Sequence, residues 1–344
     1  MTQGLPAKLK IGITTPAPPG SRYGNRVTAL RWARILKELG HSVSVKQEYD
    51  SEPFDLLIAL HARRSYPSIE RFRNQHPNRP IIVALTGTDL YRDLASSRRA
   101  QSSLDFATRI IVLQPKALDE LRDFWREKAL VVHQSVADVT AQPRSRAPSS
   151  RQVKSSSHDT FDVCVIGHLR PVKDPFRAAM ASRSLSASSR IRVLQIGAAM
   201  TRNAELRARA EMKHNPRYRW LGEQPAWRVR QILKQSRISV LSSRMEGGAN
   251  ALGEAIVAGT PVLASRIAGS VGILGEVYPG YFEVGDTRAL RALMIRAESD
   301  PGFFAQLMKH CKNLLPLFDP AREATAWAKL LDDLFEPAVK RSLS

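Results

Sequence analysis

Cysteine is nearly absent. Among 344 residues only Cys164 and Cys311 occur, far apart and outside any CxxC or Cys/His spacing, which excludes a disulfide framework and a zinc site. Both are expected to be buried thiols. No apolar run approaches the roughly 20 residues that a membrane helix needs. The first ten residues, Met-Thr-Gln-Gly-Leu-Pro-Ala-Lys-Leu-Lys, lack an apolar signal core and run into a strand-like segment, so a cytoplasmic location is expected. No Asp-x-Asp with ligand neighbours follows a strand, and neither a metal nor another cofactor is expected. Periodic repeats of 20 to 50 residues are also missing, which excludes a solenoid.

Acidic residues are scarce as well: 32 Asp and Glu face 52 Lys and Arg, a formal charge of +20. Such an excess calls for an anionic partner, whether nucleic acid, acidic lipid headgroups or phosphorylated small molecules. The basic residues are scattered through both halves, with no long Lys/Arg block and no nucleic-acid motif, so nucleic acid is not expected as a partner. A weak peripheral contact with an anionic membrane stays open.

What is present is an alternation of short apolar runs with helical stretches. The runs 11–14, 42–45, 55–60, 81–85, 109–113 and 130–133 read as strands of a first parallel sheet. The runs 161–167, 191–197, 218–221, 238–242 and 261–264 read as strands of a second. The pattern predicts an α/β protein. A helix over 26–39 places Val27, Leu30, Ala33, Leu36 and Leu39 on one face and ends at Gly40. The segment 140–159, rich in Ser, Pro and Arg, reads as a linker. The expected organisation is therefore a first sheet domain over 1–139, that linker, a second sheet domain over 160–318, and a closing helix within 319–344. In open parallel sheets ligands bind beyond the carboxyl ends of strands.

The stretch Ser242-Ser-Arg-Met-Glu-Gly-Gly-Ala-Asn-Ala-Leu-Gly-Glu-Ala-Ile-Val-Ala-Gly-Thr-Pro-Val-Leu-Ala-Ser265 sits at such an end. Gly247 and Gly248 let the backbone pass close to a ligand. Asn250 is expected to cap a helix whose first amides, around Asn250, Ala251 and Leu252, favour a phosphate. Glu246 before the helix and Glu254 one turn inside it flank that position, and each can accept hydrogen bonds from hydroxyls. Hydroxyls on both sides of a diphosphate describe a nucleotide sugar.

The same segment resembles family 4 of the retaining GT-B glycosyltransferases, in which two glutamates eight residues apart precede an Ala-rich helix and a Gly-x-Pro-Val. Glu246, Glu254, Gly259, Pro261 and Val262 match in place. The resemblance implies a GT-B fold of two Rossmann-like domains facing across a cleft. It also implies that Glu246 contacts the donor sugar, Gly247, Gly248, Ala249, Asn250, Ala251 and Leu252 the diphosphate, and Glu254 the ribose. In Val165-Ile-Gly-His-Leu-Arg-Pro-Val-Lys-Asp174 it implies a diphosphate clamp through Lys173. His168 stands where the family has Arg, and Arg170 can supply the guanidinium. Trp220 occupies the base-contacting strand end. Lys173, Glu246 and Arg170 are thus the candidate catalytic residues.

The first-half strand ends carry Gly20, Arg22, Gly24, Asn25 and Arg26, then His61, Arg63 and Arg64, then Thr86, Gly87, Thr88 and Asp89. Glycines permit close approach, Asn25 can cap the following helix, and the arginines create positive potential, which suits a small anion. Thr86-Gly-Thr-Asp89 stands where many family members read His-Gly-x-Asp. Within the family, the wording of these loops is similar to the selenosugar synthase subgroup of selenoneine biosynthesis. That implies a UDP-sugar donor, UDP-N-acetylglucosamine or UDP-glucose, and selenophosphate as acceptor. Alternatives are transfer to a sugar or lipid hydroxyl, or a nucleic-acid-binding protein on a retained GT-B fold.

Overall fold

The computed structural model describes residues 8–136 and 160–335; the expected linker lies outside them. The chain divides into two compact units, one running to Ser135 and resuming at Asp319, the other Val136–Phe318.

In the first unit the strands are β1 (Lys10–Thr14), β2 (Ser42–Lys46), β3 (Leu56–Leu60), β4 (Ile81–Ala84), β5 (Arg109–Val112) and β6 (Ala129–Val131). Its helices are α1 (Gly24–Glu38), α2 (Tyr66–Gln75), α3 (Arg98–Phe106) and α4 (Asp123–Arg126). The sheet is parallel throughout, in the order β2-β1-β3-β4-β5-β6. Alternate residues of its central strands feed two separate cores. Leu57, Ala59, Ile81 and Val83 join Tyr49, Phe54, Phe72 and Trp125 on one face. Leu56, Ile58, Leu60, Ile82 and Ala84 join Trp32, Leu36 and Trp327 on the other. Burial on both faces is what a parallel sheet requires, and it explains the continuous apolar runs.

The second unit contains β7 (Phe161–Ile166), β8 (Ile191–Ile196), β9 (Tyr218–Trp220), β10 (Ile238–Leu241), β11 (Val262–Ser265) and β12 (Tyr281–Phe282). Around them lie α5 (Arg177–Ser182), α6 (Arg202–His214), α7 (Ala226–Gln235), α8 (Asn250–Val257), α9 (Ala268–Leu274), α10 (Thr287–Ser299) and α11 (Pro301–Asn313). Its sheet is also parallel, ordered β12-β11-β10-β7-β8-β9. The two-residue β12 escaped the sequence pattern because it is too short to show a period.

A last helix, α12 (Pro320–Phe335), packs on α1 in the first unit. It corrects the expected face of α1. The buried residues are Thr28, Ala29, Trp32, Ala33, Ile35 and Leu36, whereas Val27 and Leu30 are 40% and 49% exposed. Trp32 decides the rotation. Its ring meets Trp327 edge to face at 5.0 Å, and its indole donates to Glu323 Oε1 at 2.8 Å, so the large amphipathic ring gains both packing and a partner. The helix stops as expected, with Gly40 left-handed at φ 95°.

Cys164 and Cys311 are free and buried. Burial pushes the Cys164 thiol up to about 12 and raises that of Cys311, leaving almost no thiolate at neutral pH. Iodoacetamide is therefore expected to leave the folded protein unmodified and to add two carbamidomethyl groups after denaturation, counted by intact mass. Rapid single labelling of the native chain would contradict this.

Candidate functional site

In the second sheet the chain leaves β7 in one direction towards β8 and β9 and returns to β7's other side as β10. Neighbouring strands whose connections diverge leave a crevice at their carboxyl ends. The loops after β7 and β10 carry residues 168–174 and 242–250.

Strand ends approach closely here. Gly197, at φ 147°, sits where an added Cβ would lie 2.1 Å from the Gly167 carbonyl oxygen. The Gln195 amide donates to that oxygen at 3.0 Å, and the Trp220 indole donates to the Gly197 carbonyl at 2.8 Å. Trp220 thus spends its N–H on backbone and keeps only its ring for other contacts. His168 Nδ1 accepts the Ala198 amide at 3.1 Å, fixing the ring against the β8 end. Arg170 is exposed at the head of a single 3-10 turn, Pro171–Lys173.

That turn is fastened to β10. Ser242 Oγ donates to the Lys173 and Asp174 carbonyls at 3.2 and 2.9 Å, and the Arg244 amide donates to the Val172 carbonyl at 2.8 Å. Asp174 adopts φ 42° and holds Arg177 at 2.8 Å. The result places Lys173 Nζ 2.5 Å from Glu246 Oε1, while Ser243 Oγ donates to the same oxygen at 2.5 Å. Glu246 is only 9% exposed. A nearly buried carboxylate held by an ammonium and a hydroxyl is a rigid group with one oxygen committed and a second to offer.

Gly247 and Gly248 carry the chain from Glu246 to α8. The turn is made at Ala249, which is buried and left-handed at φ 39°, and no side chain caps the helix. Asn250 is the first helical residue and not the N-cap expected from its type, because the buried Ala249 must occupy the turning position. With no side-chain oxygen at the cap, the start of the helix, at Asn250 and Ala251, suits an anion, while the Leu252 amide is donated to the Ala249 carbonyl at 2.7 Å. Glu254 lies half-buried on the same helix.

Sequence reasoning missed Ser243 and Gly269. An added Cβ on Gly269 would lie 2.2 Å from the Glu246 carbonyl oxygen, so α9 sets the height of Glu246. A glycine shortly after the end of β11 was the available signal.

In the first unit the loops after β1, β3 and β4 carry the remaining candidates. Gly20, at φ 76°, and Arg22 are exposed. Gly24 and Asn25 are the first two residues of α1, capped by Tyr23, so Asn25 is inside the helix and does not cap it. Arg26 Nε and Nη1 are shielded from solvent and have no hydrogen-bond partner, an unmet demand for an acceptor. Arg63 pairs with Asp93 at 3.0 Å, and Arg64 is exposed. Asp89 is fully buried. It takes the amides of Ala62, Thr86 and Gly87 at 3.0, 2.9 and 2.9 Å, so it shapes two loops and presents no oxygen to solvent. His61 is 2% exposed at φ 74°, its Nε2 3.2 Å from Thr88 Oγ1. Burial lowers its pKa.

Among the described residues no group of three or more His, Cys, Asp or Glu could hold a metal ion, and no helix is long and apolar enough to cross a membrane.

Residues 147–314 match the family of glycosyl transferases group 1. None of the curated proteins compared with the chain matches it. Among solved structures, Anabaena HepE in complex with UDP and glucose is 14% identical, with 95% of this chain and 100% of that one covered and a TM-score of 0.73. Sucrose-phosphate synthase from Thermosynechococcus elongatus is 17% identical, with 95% and 99% covered and a TM-score of 0.71. A glycosyltransferase from Rickettsia africae is 12% identical, with 96% and 100% covered and a TM-score of 0.71. Two parallel sheets with divergent connections at their crevices give the chain the GT-B fold, and the match to the glycosyl transferases group 1 family falls on 147–314, within the part of the chain that carries the second sheet.

Proposed function

We propose that the protein transfers a hexose from a UDP-sugar, UDP-N-acetylglucosamine or UDP-glucose, to selenophosphate. The Lys173–Glu246–Ser243 cluster beside the uncapped start of α8 carries this reading on the donor side. Lys173 and the α8 amides would hold the diphosphate, joined by Arg170, and Glu246 the sugar; Glu254 would take the ribose, with Trp220 and His168 shaping the base and phosphate ends. UDP in the complex of the similarly folded HepE supports the choice of nucleotide.

On the acceptor side the support is the wording of the first-unit loops, similar to selenosugar synthases, together with the shielded, unpartnered Arg26 nitrogens. Arg22, Arg26, Arg63 and Arg64 would hold the phosphoryl oxygens, and Thr86, Thr88 and His61 would complete the pocket. A selenium lone pair forms the bond to the anomeric carbon as the bond from that carbon to the UDP oxygen breaks. Water then cleaves selenium from phosphorus, leaving a 1-selenosugar and phosphate. The leaving diphosphate is neutralised by Lys173, Arg170 and helix amides, so no metal is required. The reaction is placed in the cytoplasm.

Transfer to a sugar or lipid hydroxyl is the second reading, favoured by the fold shared with sucrose-phosphate synthase. Incubating the chain with each UDP-sugar and selenophosphate is expected to release UDP and to give a product with a selenium isotope pattern, unchanged by EDTA. Efficient transfer to a hydroxyl with no selenium-bearing sugar would reject the proposal in favour of the second reading. Activity lost in EDTA and restored by Mg²⁺ would reject the metal-free part.

A further inference from the structure

The loops after β1, β3 and β4, residues 15–26, 61–65 and 85–93, contain one histidine and two aspartates and no glutamate. Each of these three is engaged within the protein. Asp89 is fully buried beneath three backbone amides. Asp93, 4% exposed, receives Arg63 and Arg92 on Oδ1 at 3.0 and 3.1 Å, and its Oδ2 is sealed from solvent. The Arg63 and Arg92 side chains remain 50% and 58% exposed, so two guanidiniums are tethered at one carboxylate with donors left to offer.

His61 completes the pattern. Its Nδ1 accepts the Arg64 amide at 3.4 Å, so that nitrogen carries no proton. The groups facing the ring are Asp89 and Asp93, which favour its charged form, and Arg64, which opposes it; burial outweighs them and keeps the ring neutral. The single ring proton therefore sits on Nε2 and is given to Thr88 Oγ1 at 3.2 Å. With that lone pair occupied, the hydroxyl proton of the half-buried Thr88 is turned away from the ring.

We propose that His61 is a positioning residue that makes the Thr88 hydroxyl a fixed outward donor, and that this loop face, with Arg63 and Arg92 tethered at Asp93, selects an acceptor arriving already as a tetrahedral oxyanion. The inference rests on the anionic acceptor proposed above and assigns the groups that select it. An oxyanion offers only lone pairs and matches a face of donors. An alcohol must also place its own proton, and the carboxylate and imidazole acceptors of these loops are either hydrogen-bonded within the protein or, like the unpartnered Asp93 Oδ2, sealed from solvent. No imidazole nitrogen or carboxylate is presented to take a proton from it.

Inorganic phosphate is the probe, titrated calorimetrically into the full chain saturated with UDP. Thr88→Val is expected to weaken phosphate about tenfold or more, and Thr88→Ser to stay within about twofold of the parent, with UDP affinity equal in all three. Nitrogen-15 spectra of histidine-labelled protein at neutral pH should show His61 as the neutral Nε2–H tautomer. An Nδ1–H tautomer, an imidazolium, or unchanged phosphate affinity in Thr88→Val overturns the inference. Neither readout involves transfer. Phosphate binding as stated in a chain that moves no selenium would reject the selenosugar reading alone, and selenium transfer by Thr88→Val at the parental KM would reject this inference alone.

Discussion

Lys173→Ala is expected to weaken UDP binding roughly ten- to a hundredfold, the ordinary loss for one charge-assisted hydrogen bond. It should also destabilise the second unit. Glu246 is nearly buried and shares one oxygen between Lys173 Nζ and Ser243 Oγ, so removing the ammonium leaves a carboxylate whose desolvation is offset by a hydroxyl alone. Glu246→Gln removes that charge instead and is expected to lower turnover about 10²–10³-fold while UDP affinity changes little. The two effects separate in the double variant. Lys173→Ala with Glu246→Gln should recover thermal stability relative to Lys173→Ala, because the unpaired charge is gone, without recovering UDP affinity. Calorimetry and thermal unfolding on the four proteins check this. Unchanged UDP affinity in Lys173→Ala would remove Lys173 from the diphosphate, and additive stability losses would show the pair to be uncoupled.

Gly269→Ala is the second large effect. The new methyl would meet backbone, the Glu246 carbonyl at 2.2 Å, and not a side chain free to swing aside. Either α9 or the Glu246 segment must move. Overpacking of this kind costs about 1–3 kcal/mol, and a shift near 1 Å in a reacting group can cost about a hundredfold in rate. The expected outcome is a folded protein with kcat reduced by about two orders of magnitude and a KM for the UDP-sugar changed far less. Gly275→Ala is a useful contrast, since an added Cβ there meets nothing within 4 Å and only the left-handed φ of 82° is strained. It should lose stability but keep turnover. Equal kcat in Gly269→Ala and the parent would show that α9 does not set the position of Glu246.

The strands were the most legible part of the sequence. Runs such as Leu56–Leu60 and Ile81–Ala84 are apolar without interruption because a parallel sheet buries both faces. The face of α1 was less so. Two apolar stripes overlap on that helix, and the choice fell to Trp32, whose partners Glu323 and Trp327 lie almost three hundred residues further on, beyond the reach of a local period. The same holds for the site. The diglycine and the two glutamates could be seen at once, but the pairing of Lys173 with Glu246 spans 73 residues and depends on the adjacency of β7 and β10. Turn geometry was read from residue type and misplaced by one position at Asn250, where the buried Ala249 takes the bend, and by two at Asn25, where the partly exposed Tyr23 takes it. Asp89 shows a further limit: a carboxylate in a candidate loop looks identical in sequence whether it faces a ligand or three backbone amides.

The return of α12 to the first unit bears on how the chain is made. The pocket around Trp32 is completed by Trp327, Leu330 and Leu331, so the core on the α1 side of the first sheet, although begun first, is not finished until residue 335 leaves the ribosome, whereas the core on the other face needs nothing beyond residue 131. At about 5–20 residues per second the interval from Ser135 is roughly 10–40 s, during which the whole of Val136–Phe318 emerges. The later unit can close while the earlier one waits. The usual vectorial order is thereby inverted for that face, and a complete first sheet with the Trp32 face of α1 still uncovered is the species that a chaperone would meet on the nascent chain.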